Sequence, residues 1–160
     1  GSESAFMRGA SEHHGNRNYY GVERLEAARD HPERRGLQQV AELRKTSPAL
    51  QRGLQVNLEF TGDTASFLRV FARGEERETV LVLLNKGDKA QQVGVDRYLA
   101  VGVWQDMVSG QEIEVSEPSP RLVAEVPPHG LRLFRSLAPV NDPALQSELA
   151  RQMSVLHPAE

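Results

Sequence analysis

Asn16 and Arg17, with Tyr19 and Tyr20 just downstream, are the residues whose types and spacing best suit ligand recognition. An arginine presents a planar fork of donors and an amide offers both a donor and an acceptor, so the pair can hydrogen-bond sugar hydroxyls. A tyrosine ring beside them offers a flat apolar surface to a pyranose face. The same Asn and Arg equally suit tying their loop to a neighbouring segment, and the sequence leaves both roles open. Glu12, His13 and His14 are metal-ligating types in a row. Adjacent side chains on an extended segment point to opposite faces, which argues against one shared ion. Trp104, two residues before Asp106, is the single tryptophan. On a short strand such a ring packs a core more readily than it serves as an open sugar platform. His129, within Pro127-Pro128-His129-Gly130, falls in a turn and reads as exposed rather than catalytic.

No complete catalytic constellation follows from these residues. The chain has no phosphate-binding or dinucleotide glycine loop, no nucleophile elbow and no histidine pair at zinc spacing. Its carboxylates fall mostly at turns and helix ends, where charge faces solvent, and no two of them can be assigned as an acid and a base. The sequence therefore assigns no catalytic residue, no metal ligand and no cofactor.

The chain must position its candidates with one domain and an appendage. Its 160 residues can bury roughly two thirds of their unfolded surface. Hydrophobic residues make up 39% and charged residues 26%, ordinary globular usage that points away from disorder and fibrous repeats. A net charge of -3 with both signs interspersed gives no field to attract nucleic acid or anionic lipid, so neither is expected as a partner. No apolar run approaches the ~20 residues of a membrane-spanning helix. The absence of cysteine excludes disulfides and thiolate chemistry and leaves the compartment open.

Three regions differ in period. Residues 1–20 show none, and their polar, glycine-punctuated composition reads as loop. Asp30 as N-cap, Pro32 in the first turn and Glu33 predict a helix over Pro32 to Lys45, striped by Leu37, Val40, Ala41 and Leu43 and stopped by Ser47-Pro48. A shorter helix is expected over Val22 to Ala28. From Gly53 the period becomes two: Leu54, Val56, Leu58 and Phe60 alternate with polar residues. Further strands follow over Ala65–Arg73, Thr79–Asn85, Ala90–Val95, Gly102–Asp106, Glu112–Val115, Leu122–Val126 and Gly130–Ser136. The near-continuous Val and Leu of Thr79–Asn85 suggest burial on both faces. Short strands at that spacing predict a mainly β fold, an antiparallel Greek-key β-sandwich. Asn141-Asp142-Pro143 then starts a tail helix whose stripe of Leu145, Leu149, Met153 and Leu156 needs a docking surface.

The order of these pieces carries a resemblance. It runs from Gly1-Ser2-Glu3 through a loop ending in Asn16-Arg17 to Leu43-Arg44-Lys45 before Ser47-Pro48-Ala49-Leu50. An all-β module follows with Val80 to Asn85, Trp104-Gln105-Asp106, Ser109-Gly110 and Val126 to Gly130. Over about Gly1 to Leu137 the chain resembles the C-terminal part of the α-amylase superfamily, glycoside hydrolase family 13. Members like cyclomaltodextrin glucanotransferase and cyclomaltodextrinase look most similar. The tail beyond Leu137 is not part of that pattern.

The resemblance implies that residues 1–52 are the last loop and helix of a truncated (β/α)8 barrel, residues 53–138 the sandwich called domain C, and residues 139–160 an added amphipathic helix. Substrate sites of such barrels lie at the C-terminal ends of the strands, where the loop of residues 1–20 belongs. The family's nucleophilic aspartate, acid/base glutamate and stabilising aspartate would lie on earlier strands. The chain then reads as a fragment, inactive by itself, of a retaining α-glucan enzyme. In relatives the loop after strand eight carries an Asp and, four residues later, an Arg that touch glucose. Arg17 matches that arginine, while His13 stands where the aspartate would be and can hydrogen-bond a hydroxyl without a carboxylate's charge-assisted strength. His13, Asn16 and Arg17 are thus the expected substrate-binding residues, with an α-glucan or maltooligosaccharide as ligand and the upstream barrel as partner. A second reading is a stand-alone carbohydrate-binding module using Trp104 or Tyr19 and Tyr20, which needs an open aromatic platform. A third is self-association through the stripe of Leu37, Val40 and Leu43, or packing of both helices on the sandwich.

Overall fold

The computed structural model describes Glu26 and residues 29–156, which divide between Thr46 and Ser47 into two units. The first holds helix α1 (Pro32–Lys45), with Pro32 where its missing N–H costs no hydrogen bond and Arg44 and Lys45 at the negative end of the dipole. Its N-cap is His31, not the expected Asp30. The residue before a proline is pushed out of the α region, so His31, at φ -62 and ψ 134, is the last extended residue and makes no side-chain cap. Asp30 instead meets Arg35 at 3.4 Å. Leu37 and Val40 are exposed on α1. The shorter helix expected over Val22–Ala28 lies, apart from Glu26, outside the described residues.

The second unit opens with helix α2 (Pro48–Arg52), which the sequence reading did not foresee. Ser47-Pro48 stops one helix and starts another: Ser47 is extended and its Oγ accepts from the Leu50 N–H at 3.1 Å. Five residues are too few to display an apolar period.

Eight strands follow: β1 (Leu54–Thr61), β2 (Thr64–Arg73), β3 (Glu76–Asn85), β4 (Gln91–Val95), β5 (Gly102–Asp106), β6 (Glu112–Val115), β7 (Leu122–Val126) and β8 (Gly130–Ser136). Each falls where the sequence places one, and β3 begins earlier than its apolar run because Gly74, at φ 61, lets Arg73 pair with Glu76 across a two-residue loop. The larger sheet has the order β1-β2-β3-β8-β5-β6 and the smaller is β4-β7, with every pairing antiparallel. The last strand therefore inserts between β3 and β5, and the fold is the expected mainly β sandwich.

Period-two patterning puts Val56, Leu68, Val70, Leu81, Leu83, Trp104 and Phe134 of the larger sheet on one side of the core, against Val93, Val95, Leu122, Ala124 and Val126 of the smaller. Each Val, Leu or Phe among them contributes about 1.5–3 kcal/mol by leaving water. As its composition predicts, β3 is buried on both faces: Val80 and Val82 alternate with Leu81 and Leu83, and α2 packs on β2 and β3.

Two strands are too few to cover the inner face of six, and the tail helix α3 (Pro143–Leu156) adds cover. Asp142 caps it through Oδ1, which accepts from the N–H groups of Ala144 (2.8 Å) and Leu145 (2.9 Å). Leu145 is fully buried and Leu149 packs on the same core, so the first half of the stripe finds the surface it needs. Met153 is exposed, and the Leu156 side chain lies outside the described residues. Gln152 Nε2 spans two acceptors, the Gln55 carbonyl of β1 and Glu148 Oε1, each at 2.9 Å.

Glu148 also takes a two-pronged contact from Arg151, at 2.7 and 2.9 Å. Hydrogen bonds from Arg151 first and Gln152 second stabilise its carboxylate and lower its pKa to about 2. A carboxyl whose folded pKa is depressed contributes stability that is present above its ordinary pKa of about 4.5 and lost as pH falls toward 2. The Glu148 carboxyl should therefore titrate near pH 2 by NMR, with the Gln152 side-chain amide shifting in step. In Gln152→Ala the midpoint should rise, and a Glu148 midpoint near 4.5 in the unmodified chain would contradict the bonded geometry.

Candidate functional site

The substrate-binding candidates His13, Asn16 and Arg17 lie outside the described residues, as do Glu12, His14, Tyr19 and Tyr20. Among the described residues no group of three or more His, Asp or Glu side chains could hold a metal ion. Trp104, Asp106 and His129, also singled out in the sequence, are placed, and each has a structural partner.

Trp104 is fully buried in β5, opposite Ile113 of β6, and its Nε1–H donates to the Ala100 carbonyl at 2.9 Å. Both its ring and its polar edge are engaged inside the sandwich, so it offers no open platform to a sugar. Asp106 ends the same strand. Its Oδ1 accepts from the N–H groups of Val108 and Ser109, each at 2.8 Å, and Gly110 N–H returns to the Asp106 carbonyl at 2.8 Å. Gly110, at φ 76, takes the left-handed conformation that closes this turn. Asp106 Oδ2 faces Arg132 Nε of β8 at 3.0 Å, which gives this buried carboxylate its counter-charge.

Asn85, at the end of β3, joins two further motifs. Its Nδ2 lies 2.8 Å from the Lys89 carbonyl, 3.2 Å from that of Val126 and 3.1 Å from that of Pro127, and its Oδ1 accepts from Gly87 N–H at 2.9 Å. One buried amide thus closes the turn after β3 and holds it to the turn before β8. His129 completes the clasp from outside: its N–H donates to the Gly87 carbonyl at 3.2 Å and its Nε2 lies 2.9 Å from Asp88 Oδ1. The histidine is exposed, as its turn predicts. Its backbone, at φ 49, is a conformation that non-glycine residues adopt where surrounding contacts enforce it.

Glu78 of β3 is the other buried carboxylate among the described residues. It accepts from Ser47 Oγ at 2.7 Å and from Ala49 N–H at 2.8 Å, with Arg135 at 4.0 Å, and so pins the first turn of α2 to the sheet. These partners lie 29 and 31 residues away in sequence, so the sequence reading missed the role. No local signal singles it out, because Glu78 closes the charged run Glu75-Glu76-Arg77-Glu78 that leads into the apolar part of β3.

A cleft of about 320 Å³ among these elements is lined by Tyr98, Leu99, Glu117, Pro120, Asn141 and Asp142 among others. Its polar groups are partly committed. Asp142 Oδ1 caps α3, and the Tyr98 hydroxyl accepts from Arg97, whose guanidinium lies 4.9 Å from the ring centre. The buried polar groups Glu78, Asn85 and Asp106 therefore organise turns and a helix end.

In fold the chain is similar to an α-amylase from Anoxybacillus, presented as a new glycosyl hydrolase subclass, at 20% identity and a TM-score of 0.53, covering 66% of this chain and 22% of that one. It is similar to AmyP in complex with maltose at 16% identity and a TM-score of 0.57, covering 73% and 22%. It is also similar to the α-amylase GTA from Geobacillus thermoleovorans complexed with acarbose, at 18% identity and a TM-score of 0.57, covering 76% and 25%. No protein-family model matches the chain, and no curated protein matches it in sequence. The chain spans between 22% and 25% of the length of these three structures. At such identities the likeness is one of fold: a sandwich of the kind found within α-amylases.

Two substitutions test this assignment of structural roles. Asn85→Asp keeps the shape but removes the amide donors and turns a carboxylate toward three carbonyls, so it should cost about 3 kcal/mol or more in urea unfolding. A loss under about 0.5 kcal/mol, the range of a neutral surface change, would show that the clasp contributes little. Trp104→Ala should cost about 3–5 kcal/mol by opening a core cavity.

Proposed function

We propose that this chain is a non-catalytic C-terminal portion of an α-glucan-active glycoside hydrolase or transglycosylase, acting on starch, maltooligosaccharides or cyclodextrins, and that its sandwich stabilises a catalytic barrel. The observation that carries the reading is the fold: 76% of this chain matches 25% of an α-amylase complexed with acarbose. The ordered motifs of the sequence support the same reading, with a glucanotransferase-like or cyclomaltodextrinase-like parent. The buried carboxylates Glu78 and Asp106 are held by backbone N–H groups and by Ser47 or Arg132, which suits a supporting domain better than a reacting one. Burial of Trp104 removes the aromatic platform that a binding module built on it requires.

In this proposal Asn16 and Arg17 hydrogen-bond glucose from the loop after the barrel's eighth strand. His13 adds a weaker bond from the position where relatives carry aspartate.

The test compares the chain alone with the complete protein in which it occurs, using maltoheptaose and β-cyclodextrin as substrates. The chain alone should turn over neither. The complete protein should convert at least one, and Arg17→Ala should raise its KM roughly tenfold, the loss expected for one hydrogen bond to a charged group. Glu78→Leu should lower the complete protein's melting temperature while sparing kcat at low temperature. Turnover by the chain alone would overturn the non-catalytic reading, and an unchanged melting temperature would overturn the stabilising role.

A further inference from the structure

The cleft of about 320 Å³ is walled by the segment 98–101 after β4, by Glu117 and Pro120 between β6 and β7, and by the segment 138–142 that leads into α3. Thr79 of β3 also lines it and is only 4% exposed. Period two turns this side chain to the inner face with Leu81 and Leu83, in register with Ser136 of β8. The Ser136 hydroxyl is satisfied, since its Oγ accepts from the Ala138 N–H at 3.2 Å. Among the described residues the Thr79 hydroxyl meets no hydrogen-bond partner. A buried hydroxyl left this way costs stability, and at the wall of a cleft it is an acceptor held ready for a ligand.

Charge decides what kind of ligand that is. Among the described residues the charged ones that line the cleft are Glu117 and Asp142, both acidic. Among the same residues neither makes a salt bridge. Asp142 Oδ1 takes the N–H groups of Ala144 and Leu145, which answers the positive end of α3 and leaves Oδ2 over. Arg97, next in sequence to Tyr98, stays outside the lining: it lies 4.9 Å from the Tyr98 ring centre and donates to the Tyr98 hydroxyl at 3.1 Å. Oxygen acceptors from Thr79, Glu117 and Asp142 therefore share one cleft with the apolar walls of Leu99, Val101 and Val140.

We propose that this cleft binds a small organic cation, a primary ammonium carried on a short aliphatic chain. An ammonium has three N–H donors and no acceptor, which matches a site whose free groups are oxygens and whose charge is negative. The aliphatic chain lies along the apolar walls, as the stem of a lysine does on an apolar surface. Two carboxylates repel an anion from the same place, and a neutral alcohol of equal length leaves their charge unanswered. This inference is independent of the function proposed for a parent enzyme.

The experiment titrates the full chain with pentylamine at about pH 7, where the amine is charged, and follows backbone amide signals by NMR. Pentanol and pentanoate serve as the neutral and anionic counterparts of the same length. Pentylamine should shift the amides of segments 98–101 and 138–142 to saturation, and pentanol should bind roughly tenfold more weakly, with pentanoate weaker still. Glu117→Gln, at an exposed position, should weaken pentylamine about tenfold. Thr79→Val keeps the shape and the strand preference, removes the hydroxyl, and should weaken it about fivefold. Should Thr79→Val fail to fold by far-UV circular dichroism, Asp142→Asn takes its place, since asparagine caps a helix as well, and the same weakening is required of it. Shifts that do not saturate or that fall outside these segments would overturn the proposal. Equal binding of amine and alcohol, or an affinity unchanged in any of the folded variants, would overturn it too.

Discussion

Unequal sheets are the constraint on which the rest of this structure depends. Six strands present an apolar inner face, and two strands cover only part of it. The segment after β4 and the tail helix help to settle that imbalance. The segment after β4 brings Leu99 to the core and sets the Ala100 carbonyl where Trp104 needs a partner. Leu145 and Leu149 extend the cover from α3. On the opposite face, α2 lies over β2 and β3, so that Val80 and Val82 are as dry as Leu81 and Leu83. The central strand can be apolar on both sides only because both sides have a lid.

A core assembled this way has to bury polar groups, and Glu78, Asp106 and Asn85 are each held by several partners. Glu78 takes the first turn of α2, Asp106 takes a turn and an arginine, and Asn85 takes the carbonyls of two turns. An unpaired carboxylate or amide at these depths would cost several kcal/mol, which restricts the positions to residues that can meet all their partners at once. The motifs that look like signatures in the sequence, Asn85, Asp106 with Ser109-Gly110, and Pro127 to Gly130, are therefore folding devices.

Much of this was legible beforehand because strand patterning is local. Alternation at Leu54, Val56 and Leu58 needs no knowledge of the partner strand, and the uninterrupted apolar run of β3 announces a strand buried on both faces. Asp142 before Pro143 reads as a helix start for the same reason, since the groups it satisfies lie two and three residues away. The N-cap of α1 was misplaced by one residue because a proline constrains the residue before it more strongly than aspartate favours capping. Helix α2 was invisible because what fixes it, the Glu78 carboxylate, lies far along the chain.

The sequence by itself determined helix α1, the eight strands, the tail helix, the sandwich class and the two-sided burial of β3, all of which follow from interactions a few residues apart. Only the tertiary structure decided that β8 sits between β3 and β5, that Asn85 reaches carbonyls 41 and 42 residues away, and that Gln152 reaches Gln55 at a separation of 97. Such contacts depend on which strands become neighbours. That choice is made by the whole apolar surface seeking cover at once, and no single segment contains it.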